Sequence, residues 1–155
     1  MTAAKDSGSF SAEERAAMKE AAAEQRKAKA RAGKADKAAA DAADVAEKIA
    51  AMPEQDRSLA QHVHDTVLAA APDLAPRTWY GMPAYAKDGK TLVFFQDAAK
   101  FKARYATLGF QDVAMLDDGA IWPTSFALTE WNDAVAQTVT DLVRKAVGDV
   151  GSAGT

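Results

Sequence analysis

The chain predicts an α+β fold: an antiparallel sheet covered by helices on one face, in the order helix, strands, helix, with an extra charged helix at the N-terminus. Three observations carry this. Apolar residues recur at helical spacing before residue 71 and after residue 129. Short β-branched and aromatic runs separated by turn residues fill the interval. Trp79-Tyr80-Gly81-Met82-Pro83-Ala84-Tyr85 sits where the first pattern gives way to the second.

Composition sets the boundaries. From Val45 onward large apolar residues are frequent, whereas after Met1 only Phe10 and Met18 interrupt the Ala, Lys, Glu and Arg that precede it. We expect a charged leader over 1–40, a domain over 41–148 and a disordered tail over 149–155. The leader carries nine Lys/Arg against six Asp/Glu, and the rest of the chain carries ten against sixteen. An acidic domain gains nothing from a polyanion, which argues against nucleic acid at the folded part and confines that alternative to weak binding by the leader. The absence of cysteine removes disulfides, thiolate nucleophiles and Cys-based metal sites. No signal-peptide pattern opens the chain and no apolar run approaches the ~20 residues that span a bilayer, so a cytoplasmic protein without membrane contact is expected.

In the leader, Ser11-Ala12-Glu13-Glu14 has the spacing of a capping box and starts a helix over about 12–32. Its acids sit at the positive end of the helix dipole, and Arg26, Lys27, Lys29 and Arg31 sit at the negative end. Lacking a stripe of large apolar residues, this helix is expected to project or fray. Val45, Ile49 and Met52 define a helix capped at Asp41 or Asp44, with a break at Pro53. Leu59, Val63 and Val67 define the next, ended by Pro72 and Pro76. His62 and His64 lie on it about 160° apart, a spacing unsuited to sharing a metal.

Strand pieces over 77–80 and 84–87 are expected to join through Gly81-Met82-Pro83, with Pro83 marking an edge, a bulge or a cis bond. Asp88-Gly89 predicts a type I′ hairpin into a central strand over 91–95. Residues 100–107 alternate as a strand with Phe101, Ala103 and Tyr105 on one face and Lys100, Lys102 and Arg104 on the other. Asp112, Asp117 and Asp118 lie in a short helix or irregular loop without the pattern of a calcium loop. A last strand over 121–128 buries Trp122 and Phe126. Thr129 caps a terminal helix whose face is Trp131, Val135, Val139, Leu142, Val143 and Ala146.

The pieces Ala71-Pro72, Trp79 through Tyr85 and Gly89-Lys90 leading into Leu92 to Phe95, together with Phe101 through Phe110 and Ile121 through Leu128, resemble the YdhG-like group of the YjbR/CyaY-like, frataxin-like superfamily of bacterial domains. The resemblance spans most of the domain and implies helices covering one face of an antiparallel sheet. Some relatives are described as iron chaperones. In frataxin-like proteins iron is associated with acidic residues of the first helix and adjoining strand, and the matching region here offers Asp41, Asp44, Glu47, Glu54 and Asp56.

No nucleophile is placed beside a base by any sequence argument, so no enzymatic activity and no cofactor are expected. The expected function is non-enzymatic binding of a small anionic ligand or an acidic protein partner. The residues expected to bind are Tyr80, Gly81, Met82 and Tyr85, with Lys100, Lys102 and Arg104 as the cationic side. Frataxin-like iron binding is the alternative.

Overall fold

A computed structural model describes residues 11–30 and 33–148. The disordered tail expected over 149–155 lies outside the described residues. The elements are α1 (Ala12–Ala30), α2 (Lys34–Ala50), α3 (Glu54–Ala70), β1 (Ala75–Trp79), β2 (Met82–Lys87), β3 (Lys90–Gln96), β4 (Ala106–Phe110), β5 (Ser125–Leu128) and α4 (Asp133–Ala146). The strands form one antiparallel meander in the order β1-β2-β3-β4-β5, so the α+β architecture is the observed one.

Two tight turns build the hairpins. Tyr80 and Gly81 have φ of 53° and 77°, and Asp88 and Gly89 have φ of 51° and 81°, the paired left-handed residues of a type I′ connection. Trp79 pairs with Met82 and Lys87 with Lys90 across these two-residue loops. The Asp88-Gly89 turn is where the sequence puts it, but the first turn falls at Tyr80-Gly81, and Met82-Pro83 belongs to β2 rather than to the connection. β2 is an interior strand, no described peptide bond is cis, and the register shift in β2 comes later, between Tyr85 and Ala86. Pro83 is tolerated for another reason. Met82 closes the turn and directs its backbone groups to β1, which turns the Pro83 nitrogen toward β3, and β3 pairs with β2 only from Ala84 onward.

The register sorts the sheet into two faces. Tyr85, Val93 and Phe110 lie opposite one another on one face, and Arg77, Ala84, Phe94, Gly109 and Ser125 form a row on the other. The first face carries the core. There the Tyr85 hydroxyl reaches His64 of α3, and Val63, Val67, Phe95, Leu108, Val139 and Val143 are buried together. The shift beside Tyr85 brings an extra β3 residue inward, which lets adjacent Leu92 and Val93 both be fully buried in this core. α3 packs on α4, and α2 packs along β1 and β2 through Val45 and Ile49.

Several helix ends differ from expectation. α2 starts at Lys34, ahead of Asp41 and Asp44, and α4 is capped by Asn132, whose side chain accepts from Val135 N–H, rather than by Thr129. The capping box of α1 is present in both directions: Ser11 N–H donates to Glu14 Oε1 (2.9 Å), and Glu14 N–H to Ser11 Oγ (3.0 Å). α1 itself does not project; it lies against the domain through charged side chains.

The expected strand over 100–107 is the largest correction. Residues 98–103 form a turn closed by Ala103 N–H to Ala98 O (2.9 Å), with Lys102 left-handed at φ 52°, and β4 begins only at Ala106. The alternation of 100–105 arises in a turn anchored from outside. Asp56, buried in the first turn of α3, accepts from Ala98 N–H (3.1 Å) and Ala99 N–H (2.9 Å). The final strand is likewise shorter than expected, leaving Ile121 88% exposed ahead of it.

Candidate binding site

The seven residues expected to bind do not form one surface. Tyr85 is fully buried on the helix-facing side, with its hydroxyl 2.9 Å from His64 Nδ1. Burial raises the Tyr85 phenol and lowers the His64 imidazole, favouring the neutral form of each. Met82 is also buried. Tyr80 is exposed at the turn. Arg104 stacks on the neighbouring Tyr105 ring, 5.1 Å from its centroid. Since 100–105 is not a strand, the three cations share no strand face.

Gly81 and Lys100 do meet, and what meets them is α1. Glu13, Ala17, Glu20 and Glu24 recur at helical spacing and form one face of that helix. Glu20 is clasped by two lysines, its Oε1 taking a hydrogen bond from Lys100 Nζ (2.5 Å) and its Oε2 one from Lys48 Nζ (3.1 Å). Glu24 accepts from Gly81 N–H (3.2 Å), and Glu13 pairs with Lys102 at 2.7 Å. Lys100 Nζ also lies 3.5 Å from Gly81 O.

Position 81 favours glycine through its left-handed φ, and a Cβ there would also displace the ends of the Glu20 and Lys100 side chains. Apolar burial contributes little to α1: Ala17 is its buried residue among the described side chains, and Met18 is 45% exposed.

Beside this clasp lies a cavity of about 350 Å³ lined by Glu20, Lys48, Met52, Gly81, Asp97 and Lys100. Asp97 is 5% exposed. Burial, reinforced by the nearby Asp56 carboxylate, raises its pKa against the opposing backbone hydrogen bonds and the Lys100 charge. For Glu20, burial would also raise the carboxyl, but the hydrogen bonds from Lys100 and Lys48 outweigh it and leave the pKa lowered. The Glu13 carboxyl is lowered by its bond to Lys102. Two ammonium groups and one backbone N–H thus converge on carboxylates supplied by α1 of the same chain.

Sequence reasoning missed Lys48, Asp97 and the glutamates of α1. The signal present was the spacing of Glu13, Glu20 and Glu24 on a helix with no apolar stripe to explain its docking.

The other candidates are occupied elsewhere. His62 Nδ1 lies 2.9 Å from Ser58 O, and its ring stacks on Trp131 at 5.2 Å, so the two histidines have separate partners. Among the acids of the frataxin-like reading, Asp56 caps the 98–103 turn, and Asp41 pairs with Lys37 at 2.6 Å. Among the described residues no group of three or more His, Asp or Glu side chains is placed to hold a metal ion, and no helix is long and apolar enough to cross a membrane. No protein-family model matches the chain, and no curated protein or solved structure matches it.

Proposed function

We propose that this chain is a small, non-enzymatic binding domain that recognises carboxylates, presented by an acidic protein segment or a small anionic ligand, at Gly81, Lys48 and Lys100. The observation that carries this is the Glu20 carboxylate held between two lysine ammonium groups beside the Gly81 N–H that takes Glu24. Ammonium–carboxylate hydrogen bonds are charge-assisted, and a backbone donor fixed by a tight turn needs no reordering to bind. Membership of the YdhG-like group and a cytoplasmic setting belong to the same reading, supported by the Trp79 to Tyr85 motif and the helix, strands, helix order. The iron alternative is less well supported, because Asp56 is committed to the 98–103 turn.

Because α1 occupies the receptor, a partner competes with it, and apparent affinity falls by the fraction of molecules in which the site is free. A fluorescent peptide of residues 11–30 tests this by anisotropy. The Glu20→Gln/Glu24→Gln chain should bind it more tightly than the parent chain, and adding Lys48→Glu and Lys100→Glu should abolish that binding. Equal binding with and without the two lysines would overturn the reading.

A further inference from the structure

The two outer strands of the sheet are finished differently. β1 has α2 packed along it, whereas no strand among the described residues pairs with the outer edge of β5. The pairing with β4 fixes which groups that edge presents. Phe110 N–H donates to Thr124 O at 2.8 Å, and Phe126 and Leu128 continue the same phase opposite Leu108 and Ala106. Backbone direction alternates along a strand, so the N–H and C=O groups of Ser125 and Ala127 point outward. Edge strands that must stay unpaired carry charge, proline or a bulge, and Ser125–Leu128 has none of these.

The surface beside this edge is uncharged. Phe126 is half-buried and meets Phe110 edge-on at 6.0 Å. Between β5 and α4 runs an open groove of about 310 Å³, walled by Phe126 and Leu128 on one side and by Ala134, Val135, Thr138 and Leu142 on the other, with no charged side chain in its lining. Ala134, Thr138 and Leu142 recur every four residues and so form one flank of the helix.

The geometry points to this edge as the interface with a second copy of the chain, β5 pairing antiparallel with β5 about a twofold axis at Phe126. In that register Ser125 lies opposite Ala127 of the other copy, and Ala127 opposite its Ser125. Each such pair exchanges both N–H to C=O hydrogen bonds, because these are the residues whose backbone groups point outward. The two Phe126 side chains meet at the axis as a non-hydrogen-bonded pair, the closer kind of cross-strand neighbour. The same axis brings the two α4 flanks together and covers both grooves. Charges near a twofold axis meet their own sign, and this surface carries none to repel its copy. Nor does it carry one to select an unlike, charged strand.

Sedimentation equilibrium of the full chain tests the interface, and the measured mass should rise with concentration towards twice that of one chain. Ser125→Lys/Ala127→Lys sets like charges opposite each other in both symmetry-related pairs and should weaken association roughly tenfold. Ser125→Lys/Ala127→Glu sets opposite charges across the same pairs and should restore association to near the parental value. Both positions are exposed, so the core is untouched, and far-UV circular dichroism confirms that each variant is folded. Lys48→Glu/Lys100→Glu should leave the dimer unchanged, separating this edge from the clasp around Glu20. The inference is overturned by a chain that is monomeric at every concentration, which would leave the edge to an unlike strand. It is equally overturned by a dimer that persists with the lysine pair, by failure of the lysine–glutamate pair to restore it, or by loss of the dimer in Lys48→Glu/Lys100→Glu.

Discussion

Two helical contacts with the sheet follow opposite physics. α3 and α4 cover it through Val63, Val67, Val139 and Val143, all essentially removed from water, and their attachment is non-directional and set by apolar area. α1 reaches the Tyr80-Gly81 turn through Glu24, and Lys100, Lys48 and Lys102 through Glu20 and Glu13, with Ala17 as its buried residue. Its attachment is directional, partly solvated and screened by salt. The first contact makes a core; the second makes an interface of a few directional charged contacts.

Breaking the first contact should have the largest effect. Phe95 is fully buried between the sheet and the helices, and Phe95→Ala is expected to cost about 3–5 kcal/mol of unfolding free energy, read as a lowered midpoint in urea. A loss below about 1 kcal/mol would mean that the helices are not held by this core.

Asp56 links the two regimes, since its buried carboxylate fixes the turn that carries Lys100. Asp56→Ala leaves the Ala98 and Ala99 N–H groups without their acceptor and should cost roughly 1–3 kcal/mol. Amide exchange at those two residues should speed up first. Unchanged exchange there would show that Lys100 is positioned by something else.

The smallest stability effect is expected at α1. Exposed ion pairs contribute about 0–1 kcal/mol, so Glu20→Gln should barely move the urea midpoint while measurably speeding amide exchange along α1. The pH dependence has a definite sign. The folded Glu20 carboxyl lies below its ordinary value of 4.5, so the stabilisation from the clasp is complete above that value and is lost as pH falls through the lower folded one. Lowering the pH progressively below 4.5 should therefore release α1 protection, and added salt at neutral pH should do so in part. Protection insensitive to both would remove the distinction between the two contacts.

The sequence was legible where a pattern reports burial. Val45 and Ile49, the Leu59-Val63-Val67 stripe and the Val139-Val143 face are buried as their periods require, because apolar spacing and the helical repeat act within one segment. The Asp88-Gly89 turn was legible for the same reason, since its two positive φ angles are a local demand. The strand expected over 100–107 shows where such reasoning fails. Alternation there was real, but Asp56, far away in sequence, provides the acceptors that hold 98–103 as a turn. The site residues divided in the same way. Gly81 and Lys100 were readable as a glycine at a strand junction and a cation, whereas Tyr85 was lost to the core by its register opposite Val93.

By itself, then, the sequence determined the fold class, the helix faces, a capping box and a hairpin, because each rests on interactions between residues close along the chain. Only the tertiary structure decided that the N-terminal helix returns to the Tyr80-Gly81 turn and that Lys48 and Lys100 close on one glutamate. Those contacts join residues up to 80 positions apart through single charged groups, and isolated charges leave no periodic trace in a sequence.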